Sequence, residues 1–243
     1  MTLVLGPSFL SCGLIEIKAM PQKGPETRKM SQTANKTAIA VMSAMSRAQH
    51  RREPFAYWLL KDILPSSVCN GIADLPFPPP DHSIFDGRRE ANNSTRVYFT
   101  PANQERFAVC REIVAAFDHP TVRLAIESAT GSDLKQGALR VEYCQDIDGF
   151  WLAPHVDISV KLFTMLVYLC DAPALHDAGT DIYDDCPDHQ MVARAPYEWN
   201  AGLIFIPGRN TWHGFHRRPI HGVRKSIIIN YVSQDWRAVE ELS

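Results

Sequence analysis

Long apolar runs are missing from this sequence. Nowhere do roughly 18 apolar residues follow one another, the minimum for a helix that crosses a bilayer. The first residues also lack the basic start and the extended apolar stretch of a secretory signal peptide. These absences remove the usual signals for membrane insertion and export, so we predict no membrane partner.

An excess of either charge is missing as well. The 243 residues contain 25 lysines and arginines against 27 aspartates and glutamates, and no long basic run occurs. The formal net charge is therefore −2. A general nucleic-acid binder needs a strongly basic surface, so we predict no nucleic-acid partner.

Cysteine pairs at redox or zinc-site spacing do not occur either. The six cysteines are scattered without a Cys-x-x-Cys pair: Cys12, Cys69, Cys110, Cys144, Cys170 and Cys186. In a chain of this length, isolated thiols are typical of a reduced intracellular protein. We therefore predict a cytoplasmic location.

Length and periodicity predict how the chain is organised. With 45% hydrophobic residues over 243 positions, it can bury one core of ordinary size. Residues 1–30 show neither helix nor strand periodicity and are predicted to be a disordered leader. Residues 31–243 are predicted to form one domain, with a helical part over 31–136 and a β-rich core over 137–233.

Apolar spacing and capping residues predict the elements that precede the core. Helices are expected over 33–49, 64–75, 100–117 and 120–129. Thr100-Pro101 is suited to begin the third helix, and Gly131 to end the fourth. A strand is expected over 55–60 and a polar loop over 81–96.

Metal-ligating side chains occur at an informative spacing in the β-rich part. His155-x-Asp157 places two side chains on one side of an extended segment, because side chains alternate at period two. His213 adds a second imidazole much later in the chain. Two histidines and one carboxylate form the facial triad that holds Fe(II) and leaves positions for a cosubstrate and dioxygen. Arg224 follows, and its guanidinium is suited to hold a carboxylate through two hydrogen bonds.

The order His155-x-Asp157, His213, Arg224-Lys-Ser226 resembles the Fe(II)/2-oxoglutarate-dependent oxygenases, over roughly residues 137–233. The resemblance implies a mainly β fold with flanking helices, namely a double-stranded β-helix (jelly-roll) core braced by N-terminal helices. It implies His155, Asp157 and His213 as the catalytic iron ligands. It further implies that Arg224 and Ser226 bind the distal carboxylate of 2-oxoglutarate.

The same resemblance implies the reaction. A small-molecule substrate, such as a metabolite of amino-acid or sugar type, would be hydroxylated with consumption of dioxygen and release of succinate and CO₂. The carboxylate of Asp157 favours hydroxylation over halogenation, because related halogenases have a small residue at that position. The sequence leaves the identity of the substrate open: an amino acid, a sugar-containing metabolite, a lipid precursor and a protein side chain are all compatible with the resemblance. It also leaves the oligomeric state open.

Eight short extended segments are predicted in the β-rich core, the number that a double-stranded β-helix requires: 138–144, 150–156, 161–169, 180–184, 190–195, 202–206, 211–215 and 225–232. Thr164 and Tyr168 share one face of the third segment. If this face points inward together with that of Arg224, both side chains approach Arg224 around the cosubstrate. Tyr143, on the first segment, is a further candidate for the cosubstrate pocket.

Two other functions remain as alternatives. One is a cupin-like metalloenzyme that does not use 2-oxoglutarate, and the pair Arg224 and Ser226 argues against it. The other is a non-catalytic binding protein on the same barrel, and the intact triad argues against that. A separate hypothesis concerns the substrate: Arg88, Arg89 and Arg96 could pair with an anionic group on it if their loop covers the active site.

Overall fold

The computed structural model describes residues 30–81, 85–88, 95–169 and 172–243. The predicted leader lies outside these residues except for Met30, as does much of the polar loop predicted over 81–96. Within the described ranges, no helix is both long and apolar enough to cross a membrane. The four described cysteines form no disulfide, and all but Cys186 are buried.

Among the described residues, five α-helices precede the barrel: α1 (Gln32–Ser46), α2 (Ser66–Ala73), α3 (Pro101–Arg106), α4 (Ala108–Phe117) and α5 (Pro120–Thr130). Their ends follow from local chemistry. The hydroxyl of Thr100 accepts a hydrogen bond from the Asn103 amide at the start of α3. Gly131 ends α5 in the left-handed conformation, with φ of 76°, as predicted.

One helix prediction was wrong in its extent. The expected helix over 100–117 is divided into α3 and α4 by Phe107, whose backbone is extended with φ −126° and ψ 113°. The ring of Phe107 packs edge-on against Phe77 with centroids 5.3 Å apart. The apolar spacing predicts one continuous helix here, but the helix breaks where the side chain of Phe107 packs in the tertiary structure.

The larger of two sheets has the strand order β1-β2-β9-β6-β11-β4-β3, and its described pairings are all antiparallel. Its strands are β1 (Gln49–Arg51), β2 (Tyr57–Leu60), β3 (Val97–Tyr98), β4 (Ala138–Asp146), β6 (Lys161–Tyr168), β9 (Gly202–Phe205) and β11 (Arg224–Val232). Strands β1 and β3 were not predicted. The first predicted helix extended to Gln49, where β1 begins, and the two residues of β3 carry no measurable periodicity.

The smaller sheet has the order β5-β10-β7-β8. Its strands are β5 (Leu152–His155), β7 (Asp181–Tyr183), β8 (Met191–Arg194) and β10 (His213–Phe215). Strands β4 to β11 correspond one by one to the eight predicted segments. Strands β4, β6, β9 and β11 lie in the larger sheet and strands β5, β7, β8 and β10 in the smaller one, which confirms the predicted double-stranded β-helix.

Two apolar clusters hold these layers together. On the outer face of the larger sheet, the helices pack against odd-numbered positions of β4 and β11, as in the contact group containing Ile113, Phe117, Val141 and Tyr231. Between the two sheets lies a second cluster that includes Phe150, Leu203, Phe205 and Phe215. The helices therefore brace one sheet, and the inner faces are left to form a cavity.

A substitution in strand β9 can test the packing of the larger sheet. Gly202 of this strand lies between β2 and β6. A Cβ atom at Gly202 would lie 2.3 Å from the carbonyl oxygen of Leu166 and 2.6 Å from Cδ1 of Ile63. We expect Gly202→Ala to destabilise the protein by about 1 to 3 kcal/mol, the usual cost of overpacking, measured by thermal unfolding. Gly208→Ala is the control, since its nearest atoms would be 3.6 Å away. Equal melting temperatures for the two variants would contradict the packing of β9.

Candidate metal centre

The two histidines meet because β5 and β10 are antiparallel neighbours. In their register His155 lies opposite His213, which brings together residues that are far apart in the chain. The ring centroids are 4.4 Å apart. Phe205 of β9 packs on the other side of His213, also with a centroid distance of 4.4 Å. Strand pairing and aromatic packing thus fix the position of both imidazoles.

The backbone orients each imidazole. Nδ1 of His155 lies 2.9 Å from the carbonyl oxygen of Ala153, and Nδ1 of His213 lies 2.9 Å from that of Thr211. When Nδ1 donates to these carbonyls, Nε2 of each ring is left as the metal-binding atom. Burial and the neighbouring His155 lower the pKa of His213 to about 3. At neutral pH its ring is therefore uncharged, which is the form that binds a metal.

Asp157 completes the group immediately after β5. Ligand atoms of His155, Asp157 and His213 all lie within 4.8 Å of one another. Nζ of Lys161 donates to Oδ1 of Asp157 at 2.6 Å, and the hydroxyl of Thr164 contacts Oδ2 at 3.0 Å. Both partners are on β6, so the inner sheet face holds the carboxylate in a fixed orientation. Two imidazoles and one carboxylate in this arrangement fit Fe(II).

Arg224 lines the same cavity as the three ligands. Its Nε donates to the carbonyl oxygen of Ala178 at 2.7 Å, and its Nη1 donates to Oδ2 of Asp146 at 2.6 Å. Burial by itself would lower the pKa of Arg224, but Asp146 and the neighbouring tyrosines raise it, so the guanidinium stays charged. Within the described chain, Nη2 donates no hydrogen bond and remains for an anion.

Ser226 provides a second group with unsatisfied hydrogen-bonding capacity. Its hydroxyl is fully buried on the cavity wall and has no hydrogen-bond partner among the described residues. A buried hydroxyl without a partner is costly, and native structures rarely retain one without a reason. A carboxylate held by Nη2 of Arg224 and the hydroxyl of Ser226 would satisfy both groups. The residues present therefore fit 2-oxoglutarate as well as the metal.

The other three predicted cosubstrate residues, Thr164, Tyr168 and Tyr143, lie in different surroundings. Thr164 lines the cavity and contacts the Asp157 carboxylate. Tyr168 is fully buried beside Arg224, with the guanidinium 5.8 Å from its ring, and its hydroxyl donates to Thr180 at 2.9 Å. Tyr143 does not reach the cavity, because it is at an odd-numbered position of β4 and packs in the cluster beneath the helices. Its contact with a cosubstrate therefore has no support in this geometry.

Two charged residues of the cavity wall, Asp146 and Arg96, were absent from the site implied by the resemblance. Asp146, at the end of β4, forms ion pairs with both Arg96 and Arg224. Asp146 lies two residues beyond the first predicted core segment, 138–144, and its signal in the sequence is a carboxylate with the same parity as the even-numbered positions of that segment. Of the three loop arginines, Arg96 lines the cavity, whereas Arg88 is exposed and pairs with Asp86. Arg89 lies outside the described residues.

Comparisons with known proteins agree with the architecture. No protein-family model matches the sequence, and no curated protein matches it either. Among solved structures, a prolyl-4-hydroxylase of Pseudomonas putida is similar with a TM-score of 0.53 and 16% identity, over 82% of this chain and 99% of that one. A prolyl hydroxylase from Trichoplax adhaerens, in complex with a hypoxia inducible factor peptide, gives 0.52 and 15%, over 88% and 97%.

A prolyl 4-hydroxylase from Phytophthora capsici has a TM-score of 0.55 and 13% identity, over 86% of this chain and 68% of that one. At these identities the likeness establishes a shared fold, the double-stranded β-helix, and nothing finer.

Metal binding can be tested by removing one ligand. We expect His213→Ala to weaken Mn(II) or Co(II) binding by more than roughly 10- to 100-fold, the typical cost of losing only an outer partner of a ligand. The variant should retain a cooperative thermal transition, since the apolar clusters are untouched. His176→Ala is the matched control, because its exposed ring contacts only the carbonyl oxygen of Pro173. Unchanged metal affinity in His213→Ala would exclude this metal centre.

Proposed function

We propose that this protein is an Fe(II)- and 2-oxoglutarate-dependent oxygenase that hydroxylates a small molecule. One observation carries the proposal: the triad of His155, Asp157 and His213 shares a cavity with Arg224 and Ser226, which have hydrogen-bonding capacity for a carboxylate. The fold shared with the prolyl hydroxylases named above supports it.

Each group in the cavity has a defined task. His155, Asp157 and His213 would hold the iron, while Arg224 and Ser226 would hold the distal carboxylate of 2-oxoglutarate. When bound, Fe(II) with 2-oxoglutarate and dioxygen supplies an oxidation that can hydroxylate a C–H bond, with succinate and CO₂ as by-products. Lys161 and Thr164 keep the Asp157 carboxylate in a fixed orientation, so little reorganisation is needed when the metal binds.

The walls of the cavity restrict water. Apolar side chains line it between the polar groups: Leu152, Leu166, Phe215 and Ile228 from the two sheets, and Phe150 from the connection before β5. Exclusion of water protects reactive species and strengthens the electrostatic interactions of the charged residues.

The substrate in this proposal is a small molecule, of amino-acid, sugar or other metabolite type. Arg96 on the cavity wall supports an anionic group on that molecule. We do not extend the proline substrate of the similar structures to this chain, because no described contact selects for proline. A cytoplasmic location is part of the same proposal and follows from the scattered cysteines.

A cupin-like metalloenzyme without 2-oxoglutarate is the alternative. It would use the three metal ligands but would leave the buried hydroxyl of Ser226 without a partner. The two functions can be separated with purified protein. We expect Fe(II) to bind, and 2-oxoglutarate with dioxygen to yield succinate at a rate that rises when pools of small metabolites are added. Metal binding without any 2-oxoglutarate binding or succinate would refute the oxygenase.

The carboxylate anchor gives a quantitative prediction. We expect Arg224→Ala to raise the 2-oxoglutarate concentration for half-saturation by roughly 30-fold to several-thousand-fold, because truncating one partner of a buried charge pair costs about 2 to 5 kcal/mol. Succinate formation against 2-oxoglutarate concentration measures it. Arg217→Ala is the control, since Arg217 is exposed on the preceding segment. A shift below about threefold, or roughly 0.7 kcal/mol, would mean that another group anchors the cosubstrate.

A further inference from the structure

Three charged side chains form one connected group on the cavity wall: Arg96, Asp146 and Arg224. Nη1 of Arg96 lies 2.9 Å from Oδ1 of Asp146, and Nη1 of Arg224 lies 2.6 Å from Oδ2. The side chains are 6%, 2% and 6% exposed, so water screens these charges little. One carboxylate is thus shared between two arginines, one oxygen to each.

Strand pairing places the three groups together. Arg224 lies opposite Asp146 in the register of β11 with β4. Arg96 immediately precedes β3, which pairs with the other edge of β4. The guanidinium of Arg96 also lies over the ring of Phe150, 5.7 Å from its centroid. Arg96 therefore enters the cavity from the segment before the barrel, outside the sequence pattern that includes Arg224.

The sharing of Asp146 between two arginines changes the net charge of the group that contains Arg224. If Asp146 paired with Arg224 alone, the two would form a neutral pair, and the carboxylate would repel any second anion brought to Arg224. With Arg96 on its other oxygen, the group of three keeps one net positive charge. In a buried site, a nearby negative charge disfavours the binding of an anion and a nearby positive charge favours it. The same charges shift the ionisation of a buried carboxyl group in the same sense.

We propose that Arg96 sets the affinity of the cosubstrate subsite by holding Asp146, so that this carboxylate does not neutralise Arg224. Arg96 is a positioning residue in this role, since it acts on the cosubstrate through Asp146 and Arg224. The inference rests on the proposed function and adds to it a determinant of 2-oxoglutarate binding that lies outside the core strands.

The test is calorimetric titration of 2-oxoglutarate into the Mn(II)-loaded protein, which requires no turnover and no known substrate. We expect Arg96→Gln to weaken binding by about tenfold or more, equivalent to about 1.4 kcal/mol. The double variant Arg96→Gln/Asp146→Asn should bind within about threefold of the unmodified protein, because the competing charge is removed with its partner. Arg96→Lys, which keeps the charge, should also stay within about threefold.

Two controls separate this role from general damage. Mn(II) affinity should be the same in all these variants, because the metal ligands are unchanged. Arg88→Gln should leave 2-oxoglutarate binding unchanged, since Arg88 is exposed and its partner is Asp86. If Arg96→Gln does not fold, Asp146→Asn decides. The amide oxygen of asparagine can still accept the hydrogen bond from Nη1 of Arg224, but the competing negative charge is gone, so the proposal requires 2-oxoglutarate binding at least as tight as in the unmodified protein.

The outcomes are distinct. Equal 2-oxoglutarate affinity in Arg96→Gln and the unmodified protein would overturn the inference, as would a double variant as weak as Arg96→Gln. Direct contact of Arg96 with the substrate alone would produce the first of these results. Absence of 2-oxoglutarate binding in the unmodified Mn(II) protein would instead refute the proposed function.

Discussion

Buried carboxylates in this barrel are held by cations. Among the described residues, the buried acidic side chains are Glu142, Asp146, Asp157 and Asp181, and each forms an ion pair with an arginine or lysine. Removing a charge from water is expensive unless a partner is in place, and breaking such a pair typically costs about 3 to 5 kcal/mol. The positions of the cavity side chains therefore depend on one another.

This dependence fixes the positions of the candidate metal ligands and of the proposed carboxylate anchor. Lys161 holds Asp157 from β6, and Asp146 holds Arg224 from β4. Not every arginine near the cavity is available for a ligand. The guanidinium of Arg218 is engaged by Asp181 and by the carbonyl oxygens of Asp177, His216 and Gly179. Arg218 thus stabilises the smaller sheet, and its occupied guanidinium is a poor anchor for a cosubstrate carboxylate.

The two faces of the larger sheet have different roles: one packs beneath the helices and the other faces the cavity. Odd-numbered residues of β4 and β11, such as Val141 and Ile227, pack beneath the helices. Even-numbered residues, such as Asp146 and Ser226, face the cavity. Because side chains alternate along a strand, one position changes the role of a residue completely. Tyr143 illustrates this, since its parity directs it to the helical side, away from the cavity.

The sequence by itself determined the structural features that depend on residues close together in the chain. The eight core strands, the end of α5 at Gly131 and the pairing of His155 with Asp157 on one side of the chain all follow from local periodicity and capping. Tertiary structure alone decided which distant charges meet. The sharing of Asp146 between Arg96 and Arg224 depends on the order and register of β3, β4 and β11, and local side-chain patterns do not encode that order.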